Sequence, residues 1–325
     1  MKACNGRDSR MAFMGMAIWI RGARLKTLPL AVAPVLIGAS LAWHDAAGHR
    51  VVVAVLCGFV ALLLQIAANF ANDYSDGIRG TDAGRSVPVK DADDSAVSGK
   101  ATPSRGPARL VASGVNPKKV LAAAGISALT ACLCGLAVIA LTGYWWFILV
   151  GIACLVAGWF YVGGKHPYGY HYLGEVFVFV FFGLVATCGT MFALSGTISA
   201  SGLLGGSAAG LVAVAVLCVN NLRDIESDRN HGKHTWMTAM GLRNGTIFTI
   251  AILIISALIA LRHLLQSSIY AANGIPLIAI IAILCAAQIA ASYAIARKTY
   301  RRALPLCSLD SLIVAAIFVL STMLA

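Results

Sequence analysis

The chain has 325 residues, of which 59% are hydrophobic and only 12% are charged, and its mean hydropathy is +0.82. Soluble domains carry about 25% charged residues, so this composition excludes an ordinary water-soluble domain, and the apolar runs lack the strict alternation of a membrane β-barrel. The net charge of +12 does not indicate a nucleic-acid partner, because the position of the basic residues along the chain has a topological explanation. We therefore predict an all-α polytopic protein whose partner is the lipid bilayer.

Apolar stretches of about 20 residues recur along the chain, and each is long enough to span a bilayer as a helix. They lie near 28–44, 51–71, 119–141, 144–162, 173–194, 202–220, 245–261, 274–296 and 307–324. If these nine helices alternate in direction, all 25 Lys and Arg except Arg50 and Arg262 fall on one side. The positive-inside rule assigns that side to the cytoplasm. We expect a multi-pass protein of the cell (inner or plasma) membrane, with its N-terminus and both long polar connections cytoplasmic.

Two short regions flank or interrupt the membrane domain, which we place at 19–325. Residues 1–18 form the N-terminal region, and the apolar but short segment MAFMGMAIWI at 11–20 favours an interfacial cytoplasmic lead-in over a signal peptide. Residues 84–108 are rich in Ser, Pro, Gly, Asp and Lys, a composition typical of a flexible cytoplasmic insert. The nine cysteines are scattered and indicate neither a disulfide framework nor a zinc site.

The second apolar stretch ends unusually, on ANDYSDGIRGTD at 71–82. Asp73 and Asp76 are three residues apart and Asn72 and Asp76 are four apart, so these side chains can share one helix face. Gly77 and Gly80 are expected to break any helix before Asp82, which makes Asp82 a weaker candidate.

A second polar window follows the sixth apolar stretch, at NNLRDIESDRNHGKHT, residues 220–235. Asn220, Asp224 and Asp228 are spaced by four residues and again share a face. Glu226 points elsewhere and is interpreted as structural or solvent-facing. The corresponding places of the two windows hint at a weak internal duplication.

These two windows hold six of the 13 acidic residues of the chain. Loop salt bridges are the ordinary alternative, but carboxylates on shared faces repel one another unless a cation lies between them. Oxygen ligands suit Mg²⁺, which takes one or two carboxylates and completes its shell with water and phosphate. Neighbouring basic residues, Arg79 in the first window and Arg223, Arg229 and Lys233 in the second, favour a diphosphate.

A membrane-embedded diphosphate site points to a polyprenyl diphosphate as substrate. Departure of pyrophosphate leaves an allylic carbocation, which needs an electron-rich acceptor and a dry, aromatic surround. Candidates for that surround are Tyr161, Tyr168, Tyr170 and Tyr172.

The two windows resemble the aspartate motifs of the UbiA superfamily of membrane prenyltransferases. Three further stretches resemble its 1,4-dihydroxy-2-naphthoate polyprenyltransferase branch: ARLKTLPLAVAPVLIGASLA at 23–42, LVASGVNPKKV at 110–120 and YVGGKHPYGYHYLGEVFVFVFFGLVATCGT at 161–190. The resemblance runs from about residue 19 to 325. It implies nine transmembrane helices around a central cavity, Mg²⁺ dependence and transfer of a prenyl chain to 1,4-dihydroxy-2-naphthoate with loss of CO₂, giving demethylmenaquinone.

Carried over position by position, the resemblance completes a set of candidate site residues. Arg24 and Lys26 match the basic start of the first helix, where a membrane anchor and a substrate contact are equally good interpretations. Lys165 and His166 stand where the branch usually has proline and arginine. The candidate metal ligands are Asp73, Asp76, Asp82, Asp224 and Asp228. Asp73, Asp76, Asp224, Asp228 and Lys233 are assigned to catalysis. The candidate substrate-binding residues are Asn72, Arg79, Asn220, Arg223, Lys26, Lys165, Tyr168 and Tyr161.

Two alternatives stay open at this point. A prenyltransferase of the same fold can act on 4-hydroxybenzoate or haem, and a transporter or cation channel can place aspartates in a membrane. Clustering of the acids on one side argues against transport. Prenyl length and oligomeric state are left open by the sequence.

Overall fold

The computed structural model describes residues 18–46, 48–79, 109–164, 167–267 and 274–323. Helices occupy all nine predicted spans in these ranges: α1 (Pro29–Leu41), α2 (Arg50–Arg79), α3 (Pro117–Thr142), α4 (Phe147–Val162), α5 (Gly174–Ser195), α6 (Ala200–Asn230), α7 (Trp236–Gln266), α8 (Gly274–Ala296) and α9 (Tyr300–Met323). The predictions for residues 1–17, the insert 84–108, Asp82 and Lys165 lie outside the described residues.

The helices confirm an all-α multi-pass membrane protein. Among the described residues seven helices are long and apolar enough to cross a membrane. The bent pair Ile18–Thr27 and Pro29–Leu41, with an angle of 47° between its halves, adds an eighth span. Helix α4 has 16 residues and reaches only about 24 Å at 1.5 Å per residue. The predicted count of about nine is therefore approximate.

Local signals explain where several helices begin. The side chain of Asn116 caps α3 by accepting a hydrogen bond from the Lys118 N–H, and Pro117 follows at the first helical position. Thr235 and Thr238 form a capping box at the start of α7. These caps satisfy backbone donors that the first turn of a helix leaves without partners.

Residues 71–79 of the first polar window lie within α2, and residues 220–230 of the second lie within α6. Helix α2 passes through Gly77 and is described as far as Arg79, so Gly77 does not break it, and Gly80 and Asp82 lie outside the described residues. The segment after the insert packs closely here, and a Cβ at Gly77 would overlap the side chain of Val111. The glycine therefore permits a close approach instead of a chain break.

The helices differ strongly in how much of their apolar surface is buried. The apolar window of α6 is 72% buried, whereas that of α2 is only 11% buried. Helix α6 packs against α5, α7 and α9. Small residues allow the close contact with α5, because a Cβ at Gly183 of α5 would overlap the backbone at Gly206 and Gly210 of α6. Helix α2 packs chiefly on α3. Its polar window faces the interior, which forms a cavity.

Candidate active site

A cavity of about 1460 Å³ runs between α1 to α6 and the start of α9. Residues of both polar windows line one end, which we call the polar end and define by Asn72, Asp76, Asp224 and Asp228. Apolar side chains dominate the remainder, as far as Phe147 at the start of α4. The cavity thus joins a charged end to a long hydrocarbon-like interior.

Helix α6 and the turn after it place alternating charges at the polar end. The Arg223 guanidinium donates to both carboxylate oxygens of Asp224, at 2.9 and 2.6 Å. The Lys233 ammonium lies 3.3 Å from Oδ2 of Asp228, and its backbone N–H donates to the Asp228 carbonyl at 2.8 Å. All four side chains and Asn220 line the cavity. Each acid is therefore paired with a cation close to it in the sequence.

Helix α2 contributes Asp76 and Asn72 to the same end. Oδ1 of Asp76 accepts a hydrogen bond of 3.3 Å from the Tyr170 hydroxyl. Oδ1 of Asn72 is buried and has no hydrogen-bond donor among the described residues. Arg79 does not line the cavity: its guanidinium stacks 5.4 Å from the Tyr170 ring centroid, on the same ring that Lys233 approaches to 5.8 Å.

The connection between α4 and α5 is tied to the second polar window by the backbone. The Tyr172 N–H donates to the His234 carbonyl, and the His234 N–H donates to the Tyr170 carbonyl, both at 3.0 Å. This pairing holds Tyr170 between Asp76 of α2 and Lys233 after α6. The two windows are thereby linked through one tyrosine.

Burial and the nearby Asp76 carboxylate raise the pKa of Tyr170 to about 12. Burial also raises the pKa of Tyr168. Both phenols are therefore neutral near pH 7 and act as hydrogen-bond donors, Tyr168 to the Ala157 carbonyl at 2.7 Å. The Tyr168 ring stacks on Phe177 and meets Tyr161 edge-on, which forms an aromatic wall of the cavity. Tyr172 is 43% exposed and lies outside the lining.

Asp73 occupies a different environment from the other aspartates of the windows. Its side chain is only 1% exposed and is not part of the cavity lining. Oδ1 contacts Arg24 at 2.6 Å and Arg109 at 2.7 Å, and Oδ2 accepts from the Leu110 N–H at 3.2 Å. Both arginines line the cavity. The carboxylate thus lies behind the wall and orients two cations that are part of it.

Several polar residues of the site escaped the sequence reasoning. Arg109 follows the insert, and no motif marks it. Glu175, 1% exposed, accepts a hydrogen bond of 3.1 Å from Asn221 behind the α6 wall. Gln65 and Asn69 line the cavity deeper along α2, and their helical spacing to Asn72 was a usable signal. Lys26 lines the cavity, as its assignment to substrate requires.

A comparison with protein-family models matches residues 31–309 to the UbiA prenyltransferase family. The chain belongs to this family. The match confirms the resemblance seen in the two aspartate windows, and it identifies the protein as a prenyltransferase.

A sequence relative agrees with this assignment, and two solved structures share the fold. A 1,4-dihydroxy-2-naphthoate octaprenyltransferase of Mycobacterium leprae (strain TN) is 42% identical over 228 residues, which cover 69% of this chain and 70% of the relative. The apo structure of a UbiA homolog from Aeropyrum pernix K1 has a TM-score of 0.64 at 15% identity and covers 91% of this chain and 98% of its own. A UbiA homolog from Archaeoglobus fulgidus, bound to DMAPP and Mg²⁺, has a TM-score of 0.57 at 14% identity, with coverages of 94% and 98%.

The polar end fits a magnesium ion shared with a diphosphate. Within the part of the chain that the structure describes, no three His, Cys, Asp or Glu side chains are close enough to hold a metal by themselves. Mg²⁺ needs only one or two carboxylates when phosphate oxygens complete its octahedron. The buried Oδ1 of Asn72, without a donor among the described residues, is an additional oxygen of the type that Mg²⁺ prefers.

Proposed function

We propose that the protein transfers a polyprenyl chain from polyprenyl diphosphate to 1,4-dihydroxy-2-naphthoate, in a Mg²⁺-dependent reaction. The observation that carries the proposal is a single cavity with acids and cations at one end and a mainly apolar interior. This shape and polarity match an amphipathic substrate that has a diphosphate head and an isoprenoid tail. The names of the relatives support the aromatic acceptor.

The residues of the polar end would bind both the metal ion and the diphosphate head group. Asp76, Asp224 and Asp228, with Asn72, would hold Mg²⁺, and Arg223 and Lys233 would bind phosphate oxygens. In the structure these cations pair with the carboxylates beside them. A magnesium diphosphate would give both groups a new partner, Mg²⁺ for the carboxylates and phosphate oxygens for the cations. When bound, Mg²⁺ neutralises the charge that develops on the departing pyrophosphate.

Two bonds break in the reaction: the bond from the prenyl chain to the diphosphate, and the bond from the aromatic ring to the carboxylate. One new carbon–carbon bond forms, and CO₂ is released. The bond between the first prenyl carbon and the diphosphate oxygen breaks, and its electron pair leaves with the pyrophosphate. The aromatic carbon that carries the carboxylate attacks the prenyl cation. Loss of CO₂ returns an electron pair to the ring and restores its aromaticity, giving the quinol form of demethylmenaquinone.

The chain contributes electrostatics and exclusion of water to this step. Arg223 and Lys233 stabilise negative charge on the leaving oxygens, at positions set before the reaction. Tyr161, Tyr168 and Phe177 provide π-faces, which attract a cation. Tyr170 donates to Asp76 and so holds that carboxylate toward the cavity.

The proposed orientation places the polar end at the cytoplasmic face of the cell membrane. Support comes from the distribution of the 25 Lys and Arg, of which only Arg50 and Arg262 belong to the opposite connections. A soluble acceptor anion could then enter from the cytoplasm while the prenyl tail stays in the cavity.

A labelled-acceptor assay tests the proposed function. Purified protein in lipid nanodiscs receives Mg²⁺, octaprenyl diphosphate and 1,4-dihydroxy-2-naphthoate labelled in the carboxylate. We expect prenylated naphthoquinol, labelled CO₂ and pyrophosphate in equal amounts, and none of them after chelation of Mg²⁺. Prenylation of 4-hydroxybenzoate in a parallel reaction, with no turnover of the naphthoate, would overturn the acceptor assignment.

A further inference from the structure

The polar face of α2 continues into the membrane beyond the aspartate window. Gln65, Asn69, Asn72 and Asp76 are spaced by four, three and four residues and line the same cavity. Gln65 lies about 10 Å deeper than Asn72 along the helix axis, at 1.5 Å per residue. A buried amide at this depth is costly unless its polar atoms have partners.

The surrounding hydrogen bonds determine how the Gln65 amide is oriented. The Thr27 hydroxyl donates to the Arg24 carbonyl at 2.9 Å, so its oxygen is left as an acceptor. Asn69 donates its NH₂ group to the Ala23 carbonyl at 2.9 Å, so its carbonyl is likewise an acceptor. Gln65 Nε2 lies 3.4 Å from each of these acceptors. The NH₂ group of Gln65 must therefore point toward them.

This orientation leaves the carbonyl oxygen of Gln65 without a donor. The side chain is 8% exposed, it lines the cavity, and no donor among the described residues reaches Oε1. A donor must therefore come from what occupies the cavity. An isoprenoid tail carries no hydrogen-bond donor, whereas a dihydroxylated aromatic carries two hydroxyl groups.

We propose that the carbonyl of Gln65 accepts a hydrogen bond from the 4-hydroxyl of 1,4-dihydroxy-2-naphthoate. This is the hydroxyl that is not adjacent to the carboxylate. The inference rests on the proposed function. The hydroxyl next to the carboxylate bonds internally to that carboxylate, so the distant hydroxyl is the one free to donate. Gln65 is thus a specificity-determining residue that recognises the second hydroxyl of the acceptor.

The elements around Gln65 suit an acceptor in this position. Thr27, which contacts Gln65, belongs to the segment Ile18–Thr27 that precedes α1, and Arg24 and Lys26 of this segment also line the cavity. An acceptor whose hydroxyl reaches Gln65 can direct its carboxylate toward these cations. The ring of the prenyl acceptor then lies between the segment Ile18–Thr27 and α2, next to the polar end where the prenyl cation forms.

Steady-state kinetics of Gln65→Leu test the proposal, with Gln288→Leu as a matched control. Gln288 is also a buried glutamine on a membrane helix, at 9% exposure, but it lies outside the cavity and donates to Asp310. We expect the KM for 1,4-dihydroxy-2-naphthoate to rise about tenfold in Gln65→Leu, as for loss of one buried hydrogen bond. The KM for octaprenyl diphosphate should stay within twofold, and both constants should be unchanged in Gln288→Leu.

An analogue without the second hydroxyl completes the test. For 1-hydroxy-2-naphthoate as a competitive inhibitor, we expect the same Ki in Gln65→Leu and in the wild-type enzyme, because the proposed bond is missing from both complexes. If Gln65→Leu does not fold, the wild-type enzyme still decides: it should bind the analogue about tenfold more weakly than the dihydroxy acceptor.

The outcomes separate this inference from the proposed function. Suppose that the wild-type enzyme uses the dihydroxy acceptor. An unchanged KM in Gln65→Leu, or an equal affinity of the wild-type enzyme for the analogue, then overturns the Gln65 assignment alone and indicates that water satisfies the carbonyl. A wild-type enzyme that does not use the dihydroxy acceptor overturns the proposed function, and the Gln65 assignment with it.

Discussion

The two aspartate windows look alike in sequence but are built differently in three dimensions. In α6, Asp224 and Asp228 both line the cavity and pair with Arg223 and Lys233, which lie within five residues of them. Of the two aspartates described in α2, only Asp76 lines the cavity. Asp73 instead holds two arginines that are 49 and 36 residues away in the chain. Helical spacing therefore places a carboxylate on a face, but the neighbouring segments decide what it touches.

The largest expected effect is the loss of a cavity carboxylate. We expect Asp76→Ala and Asp228→Ala each to lower kcat/KM by about 10³-fold, because each removes charge that organises the metal and the leaving group. The Mg²⁺ concentration for half-maximal activity should rise in both variants. Steady-state assays over a magnesium titration measure both quantities.

Glu226→Ala serves as the matched control for these variants. Glu226 lies on α6 between Asp224 and Asp228 but is exposed and outside the cavity lining, so its activity should stay within twofold of wild type. Wild-type kinetics in Asp76→Ala would contradict the proposed metal site.

A smaller effect of another kind is expected for Asp73→Asn, because Asp73 acts on the cavity through arginines. Removing the charge weakens the part-buried ion pair with Arg24 and the buried ion pair with Arg109, and breaking a buried pair costs about 3–5 kcal/mol. We expect a lower Tm and a fall in kcat/KM of about 10²-fold, with an unchanged magnesium half-activation concentration. A shift of that concentration as large as in Asp76→Ala would show that Asp73 is a metal ligand after all.

The smallest effect concerns the tyrosine that links the two windows. Tyr170→Phe removes the hydrogen bond to Asp76 but keeps the ring beside Arg79 and Lys233. A hydrogen bond to a charged group contributes about 1.5–3 kcal/mol, so we expect kcat to fall by about tenfold or slightly more. Single-turnover measurement of pyrophosphate release reports this step.

Tyr172→Phe is the control for the tyrosine substitution. Its side chain is exposed and lies outside the cavity lining, so the variant should behave as wild type. Equal losses in the two variants would mean that Tyr170 supports the backbone connection and not Asp76.

The fold was largely predictable from the sequence because hydrophobic length and charge distribution are strong signals in a membrane. A helix must satisfy its own backbone polar groups in lipid, so each apolar stretch of sufficient length became a helix, from α1 to α9. Helix ends were less predictable. Helix α2 passes through Gly77, and the absence of a side chain there lets Val111 pack against the helix, a contact that no local pattern predicts.

The candidate site was predictable only in part, for a related reason. Spacing indicated that Asn72, Asp76, Asn220, Asp224 and Asp228 face inward, and all five line the cavity. Arg109 could not be found, because an arginine after a polar insert carries no periodic signal. Its place beside Asp73 depends on how the chain returns to α2 after the insert.

The sequence by itself determined that this chain crosses a membrane repeatedly, that its acids gather in two windows, and that these windows resemble those of membrane prenyltransferases. These properties follow from composition, segment length and i, i+4 spacing, which are local in the chain. Tertiary structure alone decided that Asp73 lies behind the cavity wall, that Tyr170 joins the two windows, and that Gln65 has an amide carbonyl in need of a donor. Such pairings depend on contacts between distant segments, and only packing brings those segments together.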